Sequence, residues 1–232
     1  MKKGDLKKAE LVRTAEQLFC RNGYEQTSVQ DILDVLNTSK GSFYHHFPSK
    51  EALLETMCQK RAEAMSEDLI VRLKATDQED MEKMNMCLQA MLPLKGEKIG
   101  FLLMILPVLD MPEGWSVRRA YQRSLADAFE GILSSLLSSG HQKGVLFCPH
   151  EDIQAHVICL LMNDLWEIIC EKIIRAEKMH KTTDVSELLE TLNQYRRIIE
   201  RMVSAPYGSV SLISLSEVKT LVEQIHLHWK TI

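Results

Sequence analysis

Residues 27–50 read TSVQDILDVLNTSKGSFYHHFPSK, and this stretch decides the fold. Val29, Ile32, Leu33 and Leu36 recur at i, i+3, i+4 and i+7, one face of a short helix. Thr27 with Gln30 three residues on has capping-box spacing, so this helix is expected to open at Thr27. Asn37-Thr38-Ser39 interrupts the pattern, because Asn tolerates a left-handed backbone and Ser39 is a good N-cap for a second helix. At about 100° per residue, that helix, over 40–47, puts Phe43 and Phe47 on one side and Gly41, Ser42 and His45 on the other. Small and polar groups outside, with aromatic anchors beneath, suit a helix that approaches another surface closely. Two short helices joined by a tight turn form the helix-turn-helix layout, whose second helix enters a DNA major groove.

Working outward, Leu11, Ala15, Leu18 and Phe19 form the inward stripe of a helix over 6–21, stopped by Asn22-Gly23. Ser49 as N-cap and Glu51 in the first turn open a long helix that runs to about residue 75. The candidate contacts sort by chemistry. Thr27, Ser28 and Ser39 sit at helix N-termini, where free N–H groups and a hydroxyl hold a phosphate. Lys40, Tyr44 and Lys50 offer a charge, a phenol and a charge for phosphates around the second helix. Gly41, Ser42 and His45 are the candidates for base edges, and His46 flanks them. Lys2, Lys3, Lys7 and Lys8 either reach phosphates or form a solvated terminus; both readings stay open.

The rest of the 232 residues reads as all helical, with helices expected, each to within a few residues, at 77–94, 97–109, 115–139, 150–179, 185–203 and 215–229. Breaks are expected at Pro93, 95–96, 111–114, 140–149, 181–183 and 205–208. Residues 210–215 come closest to a strand. The fold class is therefore all-α, with a DNA-binding domain at 1–48 and a larger helical domain at 49–232. Residues 1–50 hold eight Lys/Arg against six Asp/Glu, leaving 20 against 26 in the remainder, so the basic end carries the motif.

The run SKGSFYHHFPSKEALL, preceded by TSVQDIL, resembles the DNA-binding signature of the TetR family of bacterial transcriptional regulators. One departure is Leu36-Asn37-Thr38, where the family usually has Ala-Gly-Val before the recognition helix. The resemblance implies an aromatic, here Tyr24, packed over the end of the first helix. It implies a homodimer through helices near 150–179 and 185–203, hence a pseudopalindromic operator on double-stranded DNA. It also implies a small, largely apolar effector in the second domain. Candidate lining residues are Met84, Leu88, Met91, Phe101, Met104, Trp115, Tyr121, Met162, Asn163 and Trp166, a methionine-rich and aromatic set suited to permissive pockets. The expected function is a repressor released from DNA by that ligand; a regulator without effector is the alternative.

Other classes are excluded or left as rivals on the residues. No nucleophile elbow, P-loop, dinucleotide fingerprint or H-E-x-x-H is present, so neither an enzyme nor a cofactor is expected. His141, Cys148 and His150 lie close in sequence and keep a metal-responsive regulator as a rival, although their spacing fits no standard zinc signature. Six scattered cysteines without a C-x-x-C pair suit free thiols in a reducing, cytoplasmic setting. No apolar run of about 20 residues spans a membrane, and the N-terminus lacks a secretory pattern.

Overall fold

A computed structural model describes residues 3–92, 101, 104, 105, 108 and 114–229. These residues form helices joined by turns and extended loops, with no strand among them; the fold is all-α. In chain order they are α1 (Lys3–Asn22), α2 (Val29–Val35), α3 (Lys40–His46), α4 (Lys50–Lys74), α5 (Asp80–Met91), α6 (Gly114–Gln142), α7 (Glu151–Lys178), α8 (Val185–Met202) and α9 (Leu215–Trp229). The helix expected over 97–109, the breaks at 93, 95–96 and 111–113, and Met111 lie outside the described residues, positions 101, 104, 105 and 108 apart. The chain divides into two compact units, one of Met1–Arg61 with Gly100–Tyr121, the other of Ala62–Ile99 with Gln122–Ile232. Two of the divisions fall inside α4 and α6, while the sequence boundary at 48/49 lies between α3 and α4.

In the first unit, Leu11, Ala15, Phe19, Ile32, Leu33, Phe43, Phe47, Leu53 and Leu54 are buried together. Gly23 ends α1 in the left-handed region (φ +85°), and its N–H donates to Phe19 O at 2.9 Å. A side chain is rarely tolerated there, which is why the helix stops at a glycine. Tyr24 is buried with its ring edge-on to Phe19, centroids 5.0 Å apart. Asn37 takes φ 45°, and Thr38 N–H closes the turn onto Leu33 O at 3.0 Å. Ser39 Oγ accepts Ser42 N–H at 3.3 Å, the cap expected of it.

The second unit packs α7 against α8, with α9 against both. Two of its helix ends lie a few residues from the expected positions, within the range the sequence allowed. α6 runs through Gly140 to Gln142, because that glycine is a site of close approach rather than a stop. A Cβ there would stand 2.8 Å from Leu146 Cδ1, and Gly140 O accepts the N–H groups of Val145 and Leu146. α5 begins at Asp80 rather than near 77. The Asp80 side chain is 6% exposed and accepts from Ser139 Oγ and Lys143 Nζ, both at 2.9 Å.

Burial by itself raises the Asp80 carboxyl, but the hydrogen bonds from Lys143 and Ser139, with the charges of Lys143 and Lys83, outweigh it and hold the group below its ordinary value. A depressed folded-state pKa contributes stability above the unfolded value of about 4, and that contribution fades as pH falls through the folded value. Asp80→Asn is therefore expected to lower stability by about 1–2 kcal/mol at neutral pH, Lys143 being 61% exposed and free to re-enter water. Urea unfolding at a series of pH values should show the gap to wild type closing below about pH 4; a gap independent of pH would remove the ion pair as its cause.

Residues 210–214, in the loop between α8 and α9, form no strand, and Leu215 begins α9. Asn85 acts as a substitute strand neighbour: its Nδ2 donates to Ser209 O at 2.9 Å, and its Oδ1 accepts Ser211 N–H at 2.9 Å. A side-chain amide thus satisfies one backbone acceptor and one backbone donor of the loop.

Candidate nucleic-acid interface

α3 presents the surface. Phe43 and Phe47 are 0% and 1% exposed and lie 5.9 Å apart, fixing the inner side of the helix. Lys40, Gly41, Tyr44 and His45 are exposed, with Ser39 just before them, while Ser42 and His46 are half-buried. Tyr44 is 54% exposed and rests its ring edge-on to Phe43 at 5.3 Å. The His45 and His46 rings meet at 5.0 Å. Polar, charged and aromatic groups thus share one exposed side over a rigid aromatic base.

Three expected contacts are arranged differently. Thr27 is 0% exposed, and its hydroxyl donates to Gly23 O at 2.8 Å, so it closes the α1–α2 turn instead of facing out. Ser28 is the true N-cap of α2: its Oγ accepts Asp31 N–H at 3.2 Å, and its own N–H donates to the Asp31 carboxylate at 2.7 Å. That carboxylate, which hydrogen bonds from the Ser28 side chain and backbone hold below its ordinary value, occupies the place where a phosphate was expected to accept. Lys50 turns inward. Its Nζ donates to Tyr24 O at 3.0 Å and Thr27 O at 3.2 Å and stands 4.0 Å from the Tyr24 ring centroid. Glu51 completes this cluster by accepting the Tyr24 hydroxyl at 3.2 Å. Lys50 and Glu51 lock the start of α4 onto the α1–α2 turn, a positioning role that sequence spacing did not reveal.

The candidate effector residues belong to both units. Phe101, Met104 and Tyr121, in the first, are buried, with Phe101 and Tyr121 in ring contact at 5.8 Å. Trp115 is 62% exposed and lies under the Arg119 guanidinium, so it is a surface residue rather than a buried lining group. In the second unit, Met84, Leu88, Met91, Met162, Asn163 and Trp166 are all buried. Asn163 Nδ2 donates to Gln122 O at 3.0 Å, and Glu167 accepts from Gln122 Nε2 at 2.9 Å, so both polar groups are engaged between helices.

The metal rival loses its geometry. His141 Nδ1 accepts the Cys148 backbone N–H at 3.2 Å, and burial pushes the Cys148 thiol up to about 11. Among the described residues, no group of three or more His, Cys, Asp or Glu is placed to hold a metal ion.

Residues 11–57 match the model of the bacterial regulatory proteins of the tetR family. This segment carries the DNA-binding signature of the TetR family. The matched segment spans the second half of α1 through the first turns of α4, the part that builds the α3 surface. Within it the chain is 53% identical over 47 residues to the uncharacterized HTH-type transcriptional regulator YuxN of Bacillus subtilis (strain 168), covering 20% of this chain and 16% of that protein. It is 50% identical over 42 residues to the HTH-type transcriptional repressor DhaR of Mycobacterium sp. (strain GP1), covering 18% and 21%. The chain therefore spans about a fifth of the length of these curated relatives. Beyond the TetR segment the likeness is one of fold: the structure of RolR with its ligand resorcinol superimposes with a TM-score of 0.57 at 15% identity, covering 96% of this chain and 95% of that one.

Proposed function

We propose that this chain is a sequence-specific DNA-binding transcriptional regulator, a homodimeric repressor released from its operator by a small, largely apolar ligand. The observation that carries the reading is the exposed face of Lys40, Gly41, Tyr44 and His45, with half-buried Ser42 beside it, set over buried Phe43 and Phe47, inside the segment that matches the TetR family. The similarity to the repressor DhaR supports the sign of regulation. For the dimer, Ile153 and Leu160 on α7 are 65% and 51% exposed, and Val157, Leu161 and Ile168 are half-buried. These positions follow i, i+4, i+7, i+8 and i+15, a single apolar stripe, and Ile198 on α8 is 45% exposed. For the effector, the buried methionines of α5 and α7 form an adaptable apolar interior. No described helix is long and apolar enough to cross a membrane.

Footprinting the purified protein on DNA flanking its gene is expected to show a two-fold symmetric protected site, and an absence of protection on every genomic fragment would sink the reading. Tyr44→Ala is expected to weaken binding to all sites alike, whereas Ser42→Ala and His45→Ala shift base preference at one position per half-site by about 1–3 kcal/mol. Selection from a randomised duplex pool separates the two behaviours. Identical consensus sequences for wild type and variants would remove Ser42 and His45 as readers.

A further inference from the structure

A recess of about 270 Å³ lies between the C-terminal end of α8 and the adjoining loop, lined by Arg197, Glu200, Arg201, Ala205 and Tyr207. We infer that this recess binds the phosphate group of a small phosphorylated molecule, with Arg197 and Arg201 as its charge partners and the Tyr207 hydroxyl as a further donor. The inference is independent of the effector proposed for the buried interior.

The charge balance comes first. Glu200 is 4% exposed on its side chain, and one oxygen accepts from Arg196 Nη1 at 2.6 Å, Gly208 N–H at 2.9 Å and Val210 N–H at 3.2 Å. Its negative charge is thereby turned inward and matched by Arg196, itself only 15% exposed. Arg197 and Arg201 remain. They are i, i+4 neighbours, about 5–6 Å apart at Cβ, both are exposed, and among the described residues neither is ion-paired with a carboxylate. Two guanidinium groups over one recess present the forked donors that oxyanions accept.

Tyr207 adds a second, separate indication. It is 77% exposed, yet its ring is held beneath Arg196 and Arg197, 5.0 and 5.8 Å from the centroid, and its hydroxyl accepts from Arg197 Nη2 at 3.4 Å. The hydrogen bond from Arg196, then that from Arg197 and the charges of both, lower the phenol below its ordinary value, the mark of a locally positive field. The loop is also prebuilt. Gly208 takes φ +84°, Glu200 holds its N–H, and Asn85 clamps Ser209 and Ser211 from α5. A site already ordered before binding loses less entropy on binding. Residues 51–232 carry 26 acidic against 20 basic side chains, which opposes a long polyanion and favours a small ligand.

The test is calorimetric titration of the full chain with inorganic phosphate at constant ionic strength. One site per chain is expected, weakened at least about tenfold in Arg197→Gln/Arg201→Gln with thermal stability unchanged, because both side chains are exposed. Phosphate should also shift the Tyr207 phenolate absorbance to higher pH, a signal absent in Tyr207→Phe. Equal heats for wild type and the double variant, or no saturable binding below about 10 mM, overturn the inference. Acetate binding as tightly as phosphate overturns the assignment to phosphate, and displacement by short duplex DNA at equimolar concentration overturns the assignment to a small molecule.

Discussion

Glu200→Ala is expected to destabilise the second unit by roughly 3–5 kcal/mol, a large share of the 5–15 kcal/mol that holds a typical domain. The carboxylate does three jobs with one oxygen. Removing it leaves Arg196 poorly solvated, and it strands the N–H of Val210, which is itself buried. An unsatisfied buried donor costs about 1–3 kcal/mol and an unpaired, partly buried charge more, so the charge is expected to dominate. Glu200→Gln separates the two effects. It keeps an oxygen for Gly208, Val210 and Arg196 but removes the negative charge that balances Arg196, and its loss should lie closer to that of alanine than to wild type. Urea unfolding of the three proteins measures this. Hydrogen exchange at 208–211 should rise in Glu200→Ala well before global unfolding, since the loop is pinned there. Both variants within about 1 kcal/mol of wild type would show that the carboxylate holds nothing.

The second large effect is Phe43→Ala. Phe43 is fully buried between Phe47 and its neighbours, and truncating such a ring costs about 3–5 kcal/mol. DNA affinity should collapse with stability, because the face of α3 is only as rigid as the ring beneath it. Tyr44→Ala provides the contrast: one residue on and 54% exposed, it should change stability by about 0.5 kcal/mol or less while still lowering affinity. Measuring melting temperature and DNA binding on the same samples decides the matter. Were Phe43→Ala to bind DNA normally below its melting point, α3 would owe its placement to something other than its aromatic base.

Much of the helical layout was legible because periodicity is a local property. The stripe Val29, Ile32, Leu33 and Leu36, the turn at Asn37, and the cap at Ser39 follow from spacing and backbone preference within a few residues. The capping box was half legible. Thr27 with Gln30 and Ser28 with Asp31 are both acceptable registers on paper, one residue apart. What chose between them is the α1–α2 turn, which offers Gly23 O to the Thr27 hydroxyl and buries the side chain. Ser28 and Asp31 then take the cap. Lys50 shows the same limit. Its charge and place beside α3 suggested a phosphate contact, but the carbonyls of Tyr24 and Thr27, 26 and 23 residues earlier, face it in the fold. The end of α6 lies slightly beyond the expected one for a related reason: a glycine within a helix reads as a stop, unless one knows that Leu146 returns to fill the space.

By itself, the sequence determined the all-α class, the helix-turn-helix and which faces of its helices are apolar, since each depends on residues within one or two turns of one another. The tertiary structure alone decided which polar groups remain available. Thr27, Ser28 and Lys50 are occupied by neighbours in the fold, and Asn85 meets Ser209 and Ser211 across more than 120 residues. Glu200 turns inward and leaves Arg197 and Arg201 facing solvent. A donor or acceptor is free only when nothing closer claims it, and what lies closer is set by packing between elements that no local spacing describes.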